Sequence, residues 1–162
     1  MIILGIDPGT AAMGYGIIET KKGKHKALGY GCIKTTPKTP FPQRLKIIYQ
    51  ELSQIIQEYS PDIIAMEQLF FARNALTAIS VGQAQGMVFL AAADADLEVV
   101  RYPPLQIKMT ITGKGRAEKS KVQKKIKRLL RLKKIPRPVD ASDALAVALC
   151  HIFLSKSKKV EK

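Results

Sequence analysis

The chain has 162 residues, 46% of them hydrophobic, which suits one domain with a real core and excludes a disordered chain. Cys32 and Cys150 are too few for a disulfide framework, and no apolar run approaches the ~20 residues that cross a bilayer, so a cytoplasmic protein with no membrane contact is expected. Lys and Arg number 27 against 13 Asp and Glu, a formal net charge of +14, which points to a polyanionic partner.

Ile2–Asp7 is a short Ile-rich run that reads as a buried strand rather than a secretory leader. Pro8-Gly9-Thr10 ends it in a turn. Gly14–Lys22 and a segment near Lys26–Thr35 read as two further strands, joined through Gly23-Lys24 as a hairpin. After a Pro-rich loop, Leu45, Ile48, Leu52, Ile55 and Ile56 recur at helical spacing and predict a helix over Pro42–Tyr59. Ser60-Pro61 stops it, and Asp62–Glu67 is another buried strand. A helix from Asn74 to about Ala93 carries Ala78, Gly82 and Gly86 on one stripe, suited equally to packing on the sheet and to a symmetric helix contact. Leu97–Tyr102 is a strand, and a short helix near Leu105–Ile111 follows. Thr112–Arg116 is a mobile basic loop, and Glu118–Leu132 is an amphipathic helix rich in lysine. Asp140 to about Ser155 is an Ala-rich closing helix. The expected fold is α/β: a mixed five-stranded sheet, antiparallel at one side and parallel at the other, with helices on both faces. Residues 1–155 form one domain on this reading, and 156–162 a polar, basic, frayed tail.

The charge is unevenly placed. Residues 1–100 hold nine basic and nine acidic side chains, whereas residues 101–139 hold fourteen basic side chains and one acid, Glu118. So concentrated a block favours nucleic acid over a merely solvated lysine-rich helix. Acids matter as well. The strands Ile2–Asp7 and Ile63–Glu67 each end in a carboxylate, and in open α/β sheets the functional crevice lies beyond the carboxyl ends of the strands. Asp140 and Asp143, three apart, share one face of a helical turn. Taken singly, Asp7 caps a turn, Glu67 starts a loop, Asp140 caps a helix and Asp143 complements its dipole. Taken together, the four could hold two divalent ions, and hard oxygen donors suit Mg²⁺ or Mn²⁺.

The segments Ile3-Leu-Gly-Ile-Asp-Pro-Gly-Thr10 with Gly14-Tyr-Gly16, Met66-Glu-Gln-Leu-Phe-Phe-Ala-Arg-Asn74, Gly82-Gln-Ala-Gln-Gly86, Ala117-Glu-Lys-Ser-Lys121 and Asp140-Ala-Ser-Asp-Ala-Leu-Ala146 occur in the order and spacing of RuvC-type Holliday junction resolvases. The resemblance runs from about Ile2 to His151. It implies an RNase H-like fold and a homodimer that nicks two opposed strands of four-way junction DNA, in recombination and repair. It implies Mg²⁺ dependence, with two ions per subunit, and products with 5′-phosphate and 3′-hydroxyl ends. By motif position Asp7, Glu67, Asp140 and Asp143 match the catalytic, metal-binding carboxylates, and Lys119 matches a catalytic lysine. Some members carry His at the first acid of the last pair; this chain keeps Asp140. Lys108 matches a basic residue near the scissile phosphate, and Phe70 an aromatic that stacks on bases opened at the crossover. Phe71, Arg73, Lys114, Arg116 and Lys121 complete the candidate DNA contacts, although Phe70 and Phe71 also suit core packing. Branch-migration proteins RuvA and RuvB are the implied partners. His25 and His151 match no catalytic position and read as structural.

Two other classes compete. A non-catalytic junction- or nucleic-acid-binding protein would explain the basic block but not the four acids. An actin-like phosphate-binding fragment would explain Asp7-Pro-Gly-Thr10, but the chain is too short for two nucleotide-clasping lobes.

Overall fold

A computed structural model describes residues 1–68 and 75–160. In chain order the elements are strands β1 (Ile2–Asp7), β2 (Ala12–Lys21) and β3 (Lys24–Lys34), helix α1 (Phe41–Tyr59), strand β4 (Ile63–Glu67), helix α2 (Ala75–Asp94), strand β5 (Val99–Tyr102), then helices α3 (Pro104–Thr112), α4 (Lys119–Leu129) and α5 (Val139–Val160). The five strands form one sheet in the order β3-β2-β1-β4-β5. β1 runs antiparallel to β2 and parallel to β4, which in turn runs parallel to β5. This is the mixed sheet expected, because β2 and β3 share a tight hairpin while the parallel strands are joined through helices.

The period-two alternation of β1 and β4 divides the core. Leu4, Ile6, Ile64 and Met66 face α1 and α2, together with Ile48, Leu52, Ala84 and Val88. Ile3 and Ala65 face the opposite way, toward α3, α4 and α5, where Ile107, Val122, Ile126, Leu145 and Leu149 complete a second core. α5 is the central helix of that layer. It is buried almost continuously from Ala144 to Ile152, and it lies across β1 and β2.

Two helix ends differ from the expectation. α4 stops at Leu129, and Arg131 takes a left-handed backbone (φ 52°) that turns the chain away. α5 runs on to Val160, past the expected end near Ser155. Lysine is a good helix former, so the polar composition of this segment does not oppose a helix.

Candidate active site

The same alternation that buries Ile6 and Met66 under α2 turns their successors to the other face. Asp7 and Glu67 therefore both point toward α5, as Ile3 and Ala65 do. β1 and β4 pair in parallel up to Ile6 opposite Met66, so Asp7 and Glu67 are the next rung, side by side at the carboxyl edge. The first turn of α5 adds Asp140 and Asp143.

What lets α5 come so close is an absence of side chains beneath it. A Cβ on Gly5 would strike the Ala144 carbonyl oxygen, one on Gly14 the Asp140 carbonyl oxygen, and one on Gly16 the Leu145 side chain at 2.8 Å. Gly14 lies opposite Asp7 in the β1–β2 register. The glycine that seats the start of α5 is thus the neighbour of the first acid. The sequence motifs include these three glycines, but their role in seating α5 escaped the sequence reading. The signal was present, since small residues alternate along the inner face of β1 and β2 in Leu4-Gly-Ile6 and Gly14-Tyr-Gly16.

The cleft beside the acids is lined by Glu67, Lys108, Lys119 and Asp143 over an apolar floor of Ile107, Val122 and Ala146. Lys108 comes from α3 and Lys119 is the first residue of α4. Lys119 Nζ lies 2.6 Å from Asp143 Oδ2, and its side chain is 57% exposed, so this ammonium sits at the mouth of the cleft. Burial raises the Asp7 carboxyl to about 8, helped by the charges of Glu67, Asp143 and Asp140 and opposed by Lys119. Burial likewise raises Glu67 to about 7, with Asp143 adding to the effect and Lys119 and Lys108 opposing it. Asp143 is raised by burial too, against the pull of Lys119. Lys119 is itself raised, since its hydrogen bond to Asp143 and the surrounding acids outweigh its own burial.

Among the described residues, no three His, Cys, Asp or Glu side chains already form a metal cage. Lys119 supplies the positive charge there. The residues nevertheless fit a hard divalent cation. The donors are carboxylate oxygens, and burial together with the neighbouring acids pushes Asp7 and Glu67 toward holding protons near neutral pH. A dication would remove that penalty.

Supporting contacts hold the acids in place. Gln85, buried on α2, donates from Nε2 to the Glu67 backbone carbonyl oxygen at 3.2 Å. Arg44 Nε donates to Thr35 Oγ1 at 2.7 Å, and the Thr35 hydroxyl donates to the Thr10 carbonyl oxygen at 2.5 Å, tying down the loop after Asp7. Of the other residues singled out from sequence, Lys114, Arg116 and Lys121 are exposed. At the start of the loop holding the first two, Thr112 Oγ1 lies 2.8 Å from the Lys108 carbonyl oxygen and 3.0 Å from that of Lys114, and Ala117 at its end is buried. Phe70, Phe71 and Arg73 lie outside the described residues. His151 accepts or donates a 2.8 Å hydrogen bond with the buried Tyr102 hydroxyl, and His25 Nδ1 lies 2.9 Å from Thr20 Oγ1; both are structural positions away from the acids.

A mixed five-stranded sheet, carboxylates at the ends of its central parallel pair and two more on the helix packed across it define an RNase H-like nuclease. Comparison with known proteins narrows the class. The family model for crossover junction endodeoxyribonuclease RuvC matches residues 3–151. The crossover junction endodeoxyribonuclease RuvC of Finegoldia magna is 51% identical over 158 residues, covering 98% of this chain and 96% of its own. The structure of Thermus thermophilus RuvC in complex with Holliday junction substrate superposes with a TM-score of 0.93 at 35% identity, covering 98% of this chain and 96% of that one. The yeast mitochondrial Holliday junction resolvase Ydc2 shares the fold, with a TM-score of 0.71 at 13% identity over 97% of this chain and 80% of that one. The chain belongs to the RuvC family of crossover junction endodeoxyribonucleases. Among the described residues no helix is long and apolar enough to cross a membrane.

Proposed function

We propose that the protein resolves four-way DNA junctions as a homodimer, each subunit nicking one of two opposed strands and leaving 5′-phosphate and 3′-hydroxyl ends. The observation that carries this reading is the convergence of Asp7, Glu67, Asp140 and Asp143 on one edge of the sheet, with Lys108 and Lys119 facing them. Asp7, Glu67, Asp140 and Asp143 would hold two Mg²⁺ ions, with Mn²⁺ a possible substitute. The chemistry that divalent ions supply at such a carboxylate set is activation of water and stabilisation of the leaving oxygen. Lys119 places a cation where charge develops on the phosphate, and Lys108 helps hold the strand against the cleft. Lys114, Arg116 and Lys121 contact backbone phosphates, while Phe70, with Phe71 and Arg73 beside it, engages the opened crossover.

The dimer reading is supported by α2. Its inner face packs Ala84, Val88, Ala91 and Ala92 on the sheet, and a Cβ at Gly86 would meet nothing. Ile79, Phe89 and Leu90 are exposed on the same helix, at 69%, 40% and 47%. An apolar outer face of that kind suits a two-fold contact. The cell context proposed is the cytoplasm, with RuvA and RuvB as partners and residues 1–155 as one nuclease domain.

The test is cleavage of a synthetic four-way junction with Mg²⁺. Wild type should give paired, symmetric nicks. Asp7→Asn should bind the junction within a few-fold of wild type and cut it at least about 100-fold more slowly. Full cleavage by Asp7→Asn, or binding by wild type with no product, would sink the reading; the second result favours the non-catalytic alternative.

A further inference from the structure

The basic surface does not stop at the cleft. The β2–β3 hairpin lies at the far end of the sheet, since Gly14 pairs with Asp7 while Glu19 pairs with Ile2. Its tip carries Lys21, Lys22, Lys24 and Lys26, all exposed. Lys21 and Lys24 are directly opposed in the ladder, a placement that repels. Lys22 and Gly23 both have positive φ, 48° and 78°. A two-residue turn of that shape favours Asn or Gly at its first position, so Lys22 runs against local preference. In the ladder, Glu19 stands opposite Lys26.

α4 joins this tip to the cleft. It starts at Lys119 and exposes Lys121, Lys124, Lys125 and Arg128 before Arg131, so like charges recur at spacings of three and four. Residues Gly23–Lys26 and Leu129–Arg131 border one shallow groove where the helix end meets the hairpin. The His25 ring of the hairpin meets Phe153 of α5 edge-on, 5.7 Å between centroids. Among the described residues, none of these hairpin lysines, and neither Arg128 nor Arg131, has a carboxylate within ion-pair distance. A point anion would not neutralise charges spread along a helix and a hairpin. A regularly charged rod would.

We propose that the hairpin tip, continuous with the outer face of α4, contacts backbone phosphates of a duplex arm of the junction. From Gly14 to Lys21 is seven residues of strand, roughly 23 Å at ~3.3 Å per residue. At ~3.4 Å per base pair, that places the contact about seven base pairs from the cut. The inference rests on the junction reading above and adds to it where an arm leaves the enzyme.

The experiment uses the full chain and four-way junctions with arms of about 20 base pairs, natural or carrying neutral methylphosphonate linkages about six to nine base pairs from the cut. The variant is Lys21→Gln/Lys22→Asn/Lys24→Gln, all surface positions. At about 0.1 M salt the variant should bind the natural junction at least about tenfold more weakly than wild type, with a salt slope smaller by about 2. On the neutralised junction the two proteins should bind alike. The rate of nicking at saturating protein should be unchanged. Equal affinity of variant and wild type for the natural junction overturns the proposal, as does an equal loss on both junctions. In either case paired nicking by wild type leaves the junction reading standing; its absence on both substrates removes both.

Discussion

At the scale of single residues, the carboxyl edge is held under electrostatic tension. Asp7, raised to about 8, and Glu67, raised to about 7, keep in the folded state protons that the unfolded chain releases near pH 4. The folded state therefore binds more protons than the unfolded one between those values. The stability these groups contribute falls as the pH climbs from about 4 through about 8. Replacing Asp7 with Asn removes the larger of the two shifts. In EDTA, the stability of Asp7→Asn relative to wild type should rise between pH 5 and pH 8 by about 1 kcal/mol or more, roughly 3 °C in melting temperature. Thermal melts at a series of pH values check this, and a constant difference across the series would contradict it. Added Mg²⁺ should raise the wild-type melting temperature most at the upper end of the same window, because ionised carboxylates are the form that binds a cation.

At the scale of elements, the decisive contact is α5 on the β1–β2 pair. Its closeness depends on Gly5, Gly14 and Gly16 lacking side chains. Gly14→Ala should cost about 1–3 kcal/mol by overpacking, a drop of roughly 3–10 °C in melting temperature. It should also slow cleavage more than a destabilising substitution of equal size on α1, because it displaces Asp140 from Asp7. Melting and junction cleavage measured on both variants separate the two effects. The strands and most helices were legible in the sequence because their apolar periodicity is unambiguous, as in Ile2–Asp7 or Leu45–Ile56. The pairing of Asp7 with Glu67 was legible too, since two strands ending alike become neighbours if parallel. The seat of α5 was not, because a glycine in a strand does not announce which helix needs its space. Nor was the role of Gln85, whose hydrogen bond to the Glu67 carbonyl joins residues 18 apart across two elements. The extension of α5 to Val160 was missed because polarity was read as disorder, although lysine tolerates a helix end well.

At the scale of the whole molecule, charge and chemistry occupy different parts of the chain yet meet in one cleft. The first hundred residues are neutral and supply Asp7 and Glu67; residues 101–139 carry the positive excess and present Lys108 and Lys119 to them. The loop between α3 and α4 extends that positive surface outward. Lys114→Ala/Arg116→Ala should weaken junction binding and reduce the slope of log K against log salt by about 2, while leaving the nicking rate at saturation within a few-fold. Fluorescence titrations at several salt concentrations read both terms; an unchanged slope would place the DNA elsewhere.

The four acids have a split origin. Two come from strands near the start of the chain and two from the helix that follows every other element. That helix is also the buried centre of one of the two cores. During synthesis the scaffold can be almost wholly translated, lysines included, before the carboxylate set exists. A chain interrupted anywhere before Asp140 therefore lacks half of its acids and the packing partner of its sheet. If those acids cut DNA as proposed, a chain interrupted before Asp140 carries the basic surface without the cutting site.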